Sequence, residues 1–82
     1  MKIENEINFR IKKAALRYGA FTSSHEMLGV ALEEWDELRD AVRRNDLGAI
    51  RYECLDLAAV LIRFVSQVDD DAPGALARRS TK

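Results

Sequence analysis

Two acidic clusters carry the residue types and spacing most suited to chemistry. One reads Glu33-Glu34-Trp35-Asp36-Glu37, and after 15 residues (38–52) the second reads Glu53-Cys54-Leu55-Asp56. Within each cluster a pair stands at i and i+3, Glu34 with Glu37 and Glu53 with Asp56. On a helix that spacing puts two carboxylates on adjacent turns of one face. Four such hard oxygen donors, brought together in a partly dry groove, suit Mg²⁺ or Mn²⁺ and leave positions for water and a substrate phosphate. A structural explanation competes on equal terms. The chain has 13 Lys and Arg against 14 Asp and Glu, so Arg10, Arg39 or Arg63 can neutralise these acids without any ion, and charge-rich helices often produce E-x-x-E by accident.

The elements that must position these residues all read as helices. Ile3, Ile7, Ile11, Ala14 or Ala15 and Tyr18 recur at steps of three or four, which predicts a first helix over 3–18. Gly19 stands where a helix C′ glycine belongs. Ser23-x-x-Glu26 matches a capping box and opens a second helix running from 24 to 44, ending on Arg43 and Arg44 at the negative pole of the dipole. Asn45-Asp46-Leu47-Gly48 has turn chemistry, with Asp46 as the cap of a third helix over 48–67. Asp69-Asp70-Asp71-Ala72-Pro73-Gly74 stops it, and consecutive acids cannot converge as i, i+3 pairs do. The reading is therefore an all-α helical bundle, a single domain over 1–68, with a tail over 69–82 that is mobile or forms a short helix.

The helical projection divides the acids. On the second helix Met27, Leu28, Ala31, Leu32, Trp35, Leu38 and Val42 form one broad apolar arc. Glu34 falls at its edge, between Met27 and Leu38 on one side and Val30 and Ala41 on the other. Glu37 lies a step further round, and Glu33, Asp36 and Asp40 point to the solvated side. On the third helix Glu53 and Asp56 share a face with Ala49, Leu57, Val60 and Phe64, while Leu55, Ala59 and Ile62 make the opposite face apolar too. A helix apolar all round in so short a chain is central to a bundle or part of an oligomer interface. Carboxylates covered there cost several kcal/mol each, in rough terms, if ionised and unpaired.

Composition narrows the classes further. With 82 residues, 48% hydrophobic and 33% charged, the chain suits one globular amphipathic domain rather than disorder or two cores. A net charge of −1 supplies no basic field for nucleic acid. The longest apolar stretch, Leu57 to Val65, contains Arg63 and is too short to span a bilayer. A lone Cys54 and the absence of a basic-then-apolar leader lead to the expectation of a reducing cytoplasm. So small a core invites completion by a second copy of the chain.

The ordered pair of motifs, E-E-x-x-E and then E-x-x-D on successive helices, resembles the hallmark of the MazG-like all-α nucleoside triphosphate pyrophosphohydrolases. "SHEMLGVALEEWDEL", "ECLDLAAVLIRFV" and a preceding helix ending in Tyr-Gly are similar to the same family, over about residues 8–66. The resemblance implies Mg²⁺-dependent hydrolysis of a nucleoside triphosphate between the α and β phosphorus atoms. It implies that Glu34, Glu37, Glu53 and Asp56 ligate Mg²⁺ (with Mn²⁺ a substitute). Glu33 would then be a further catalytic acid, ligating a second ion or orienting the attacking water. It also implies a homodimer or homotetramer. Basic residues for the phosphates come from later segments or another subunit in such proteins, and Arg63, Arg78, Arg79 and Lys82 are candidates by type. The alternatives are a phosphoribosyl-ATP pyrophosphohydrolase and a non-catalytic helical oligomer used for protein contacts.

Other residues carry blander expectations. His25 in the first turn of the second helix reads as exposed or capping. Trp35 reads as core or interface rather than a base-stacking ring. Phe9, Tyr18 and Phe21 read as core, with Phe21 able to border a base pocket. Cys54 reads as inert packing, and Arg43-Arg44 as a helix end.

Overall fold

In a computed structural model describing residues 2–70, α1 spans Lys2–Tyr18, α2 spans Ser24–Arg43 and α3 spans Leu47–Asp69. There is no strand among the described residues, so the all-α bundle expected from the periodicity is what forms. Residues 71–82, and with them most of the expected tail and the phosphate candidates Arg78, Arg79 and Lys82, lie outside the described part.

Each boundary has a local cause. Gly19 takes φ +72°, the left-handed conformation that ends α1, and its N–H donates to the Ala15 carbonyl at 3.0 Å. Ser23 is the N-cap of α2, and its hydroxyl accepts from the Glu26 N–H at 3.1 Å. The reciprocal arm of the expected box differs by one residue: Glu26 Oε1 accepts from the N–H and hydroxyl of Thr22, not from Ser23. At the far end α2 stops at Arg43, with Arg44 as C-cap, and Asn45 takes φ 54° to reverse the chain. Asp46 then caps α3, accepting from the Ala49 N–H at 3.0 Å.

α3 is the shared partner, packing against both α2 and α1. The links between α1 and α3 climb in step: Glu6 to Arg51, Arg10 to Asp56, Gly19 to Arg63 and Phe21 to Gln67. These two helices therefore run parallel, with α2 antiparallel to them. At the α1–α2 junction Phe21 packs on Met27, Val30 and Phe64. Its ring meets that of Phe64 edge-on with centroids 5.7 Å apart.

The broad apolar arc of α2 is split between two environments. Met27, Ala31 and Ala41 are buried and Leu38 is half-buried, and they surround Glu34 on the face that meets α3. Leu28, Leu32, Trp35 and Val42 are exposed. Glu34 is thus at the centre of the packed face rather than at its edge. Three core assignments fail for the same reason, a core too small to cover them. Phe9 and Tyr18 are exposed on α1, and Cys54 is exposed on α3. Trp35, also exposed, keeps only its interface reading. α3 is covered by Leu55, Ala59 and Val60, yet Leu61, Ile62, Val65 and Val68 remain exposed in the single chain.

Candidate functional site

The α2–α3 hairpin brings Glu34, Glu37 and Glu53 together. One carboxylate oxygen from each lies within 4.8 Å of the others. The short turn at 44–46 fixes the register that sets Glu37 opposite Glu53, and the i, i+3 step carries Glu34 to the next turn. Oε1 of Glu34 and Oε1 of Glu53 are buried and accept no hydrogen bond among the described residues. A buried carboxylate oxygen with no donor carries its full desolvation cost.

The acidity of the cluster records that cost. Burial, then the charges of Glu37, Asp56 and Glu53, push the Glu34 carboxyl up to about 7. Burial and the adjoining Glu37 likewise raise Glu53 above the ordinary carboxylate range. Glu37 adjoins both, so a carboxyl–carboxylate hydrogen bond joins these acids only when one of a pair holds a proton. With all of them ionised, nothing among the described residues donates to the two buried oxygens.

Asp56 is near enough to repel Glu34 and Glu53 but is engaged elsewhere. Arg10 Nε donates to its Oδ1 at 2.8 Å. Of the three arginines able to neutralise the acids, then, Arg10 pairs with Asp56, while Arg39 reaches only Asp36 on the surface and Arg63 donates to the Gly19 carbonyl. The structure thus unites three of the four expected ligands and holds the fourth on a guanidinium. Glu33 is exposed and joins Glu34 and Asp56 on the wall of an adjacent cavity. Asp36 and Asp40 are exposed surface charges paired with Arg39 and Arg44, and His25 is exposed, as their positions implied.

The cavity, about 520 Å³, lies between α1 and the hairpin. Arg10, Lys13 and Arg17 of α1 line it with Arg63 of α3, opposite Glu33 and Glu34. Of the α1 cations on this wall, Arg10 is expected from sequence as a partner for the acids, whereas Lys13 and Arg17 are expected only to face solvent. The available signal was their spacing: positions 10, 13 and 17 step by three and four, and so share one face. Phe21 borders this cavity as well as the core.

No family model, curated protein or solved structure matches this chain.

Proposed function

We propose that this chain is a Mg²⁺-dependent nucleoside triphosphate pyrophosphohydrolase of the MazG-like type, serving nucleotide-pool housekeeping. The observation that carries the reading is the pair of buried, donor-less oxygens on Glu34 and Glu53, within a three-carboxylate cluster on facing helices. Acidic clusters occur on many helices that bind nothing. This one differs because Glu34 and Glu53 each bury an oxygen with no donor, beside an exposed Glu37, and a proton or a cation relieves that cost.

The donor set fits a hard divalent ion. Glu34, Glu37 and Glu53 would hold Mg²⁺, with Mn²⁺ as substitute, and Asp56 would join them when released by Arg10. When bound, the ion supplies Lewis-acid polarisation of the phosphoryl oxygens and lowers the pKa of attacking water. Glu33 is assigned to orient that water from the cavity wall. Hydrolysis would break the α–β bridging bond as the water oxygen bonds to one of the two phosphorus atoms, giving the monophosphate and pyrophosphate and releasing a proton to solvent. A triphosphate carries about four negative charges, so an acidic wall accepts it only through cations. Within the described residues no helix is long and apolar enough to cross a membrane, and the reading places the enzyme in the cytoplasm.

The working form is proposed to be a homodimer or homotetramer. Leu28, Leu32, Trp35 and Val42 leave one side of α2 apolar and exposed, and Trp35 and Val42 share a groove with Ile50 and Cys54 of α3. A second copy would cover that stripe.

The test is pyrophosphate release from a panel of canonical and modified nucleoside triphosphates, with and without Mg²⁺. Glu34→Gln is expected to reduce turnover by about 100-fold or more, whereas Asp40→Asn, on the solvated side, leaves it within about twofold. Absence of release from every substrate, with no Mg²⁺ effect on melting temperature, sinks the proposal.

A further inference from the structure

All four cation–ring stacks among the described residues fall in the same cavity. Arg10 lies 4.8 Å from the Tyr52 ring centroid, Lys13 5.9 Å from Phe9, Arg17 5.3 Å from Tyr18, and Arg63 4.4 Å from Phe21, and all eight residues line it. Two of the cations are already spent on acceptors, Arg10 on Asp56 and Arg63 on the Gly19 carbonyl. Lys13 and Arg17 make no hydrogen bond or ion pair with the described residues, although the chain has more acids than bases.

The α1 and α2 walls of the cavity differ in charge. Carboxylates Glu26, Glu33 and Glu34 come from α2, the cations of α1 form a row running from the Arg10–Asp56 pair toward Gly19, and α3 adds Asp56 and Arg63. From position 10 to 17 the row extends about 10 Å along the helix axis. A groove that borders the acidic cluster through Glu34 and carries a strip of unspent cations is complementary to a polyanion that arrives with a cation at one end. The rings of Phe9 and Tyr18 bias Lys13 and Arg17 to lie along the wall, which lowers the side-chain freedom to be lost when an anion binds.

We infer that Lys13 and Arg17 of α1 hold the phosphate chain of the substrate in this cavity. This inference rests on the pyrophosphohydrolase reading for the identity of the ligand, but its geometry stands on α1 and α3. It makes α1 part of the binding machinery rather than packing alone, and needs no basic residue from another subunit.

The probe is inorganic tripolyphosphate, titrated calorimetrically in excess Mg²⁺ against the full chain and against Lys13→Ala, Arg17→Ala and the double variant. Both side chains are exposed, so the variants fold. Lys12→Ala, exposed and off the cavity, is the charge-matched control. Expected is binding by the wild type, weakened about tenfold by each single substitution and further by both together, as loss of a charge-assisted phosphate contact implies, with Lys12→Ala within twofold. Unchanged binding in the cavity variants, equal weakening in Lys12→Ala, or no binding by the wild type overturns the inference. Pyrophosphate release separates the two ideas. Hydrolysis that ignores Lys13 and Arg17 removes only the groove. Tripolyphosphate binding through them, with no nucleotide hydrolysed, removes the hydrolase reading and leaves the groove.

Discussion

At the scale of single residues, the cluster behaves as acids forced together in a partly dry place. Glu34 shows it best. Its carboxyl is pushed up to about 7 by burial first and by neighbouring carboxylates second. In the unfolded chain it returns to the ordinary range, near 4.5. Between those values the folded state holds more protons than the unfolded one, so stability falls as pH rises. The stability of the protonated cluster is fully present below the unfolded value and is lost as pH climbs through about 7. Glu53 adds in the same direction. Glu6 acts oppositely: the hydrogen-bonded Arg51 guanidinium lowers its pKa, so that contribution is lost only as pH falls below the ordinary carboxylate range. In EDTA, thermal melts are therefore expected to give a higher melting temperature near pH 5 than near pH 8. Glu34→Gln should flatten the difference, and excess Mg²⁺ should raise the value at pH 8. A melting temperature that rises steadily from pH 5 to pH 8 in EDTA contradicts the burial of these acids.

At the scale of elements, the seam between α2 and α3 does the positioning. Ala41 has no exposed surface and stands one turn from Glu37, so the two helices approach closely beside the cluster. A larger side chain there must wedge the seam. Ala41→Leu is expected to cost about 1–3 kcal/mol, read as a fall of roughly 4–8 °C in melting temperature per kcal/mol for a domain of this size. Because the wedge also separates Glu37 from Glu53, the Mg²⁺-induced rise in melting temperature should shrink with it. An Ala41→Leu protein with wild-type stability and an unchanged Mg²⁺ response shows that the seam is not what sets the cluster. The caps at Ser23 and Asp46, the helix-ending Gly19 and the turn that begins at Asn45 were legible in sequence because their chemistry is local. The division of the α2 arc was not. Leu38 and Leu32 are equally apolar, and only the angle at which α3 lies across α2 decides that Leu38 is half-buried while Leu32 is half exposed.

At the scale of the whole molecule, the core is thin. Phe21, Met27 and Leu55 are the largest of its buried residues, while Leu28, Trp35, Val65 and Val68 of α2 and α3 are exposed. A stripe of that kind along α2 and α3 is the surface through which copies are proposed to associate. Sedimentation equilibrium is expected to give a mass at least twice that of one chain at micromolar concentration. Leu32→Glu with Trp35→Glu should shift it toward the monomer and lower the melting temperature. A wild-type chain that stays monomeric at all accessible concentrations removes the assembly from the proposal.

The sequence by itself determined the three helices, their caps and turns, and the solvated fate of Asp36 and Asp40, because hydrophobic period and capping act over a few residues. It also marked Glu34 and Glu53 as inward acids, since most of their neighbours at three and four positions are apolar, whereas Glu37, with Glu33, Glu34 and Asp40 at those positions, is exposed. Tertiary structure alone decided that Glu34 is the centre of the packed face and that Asp56 is held by Arg10, 46 positions away. It likewise decided that Lys13 and Arg17 look across a cavity at Glu33 and Glu34. The first depends on how α3 lies across α2 and the other two on α1 running parallel to α3, arrangements of segments that no local spacing encodes.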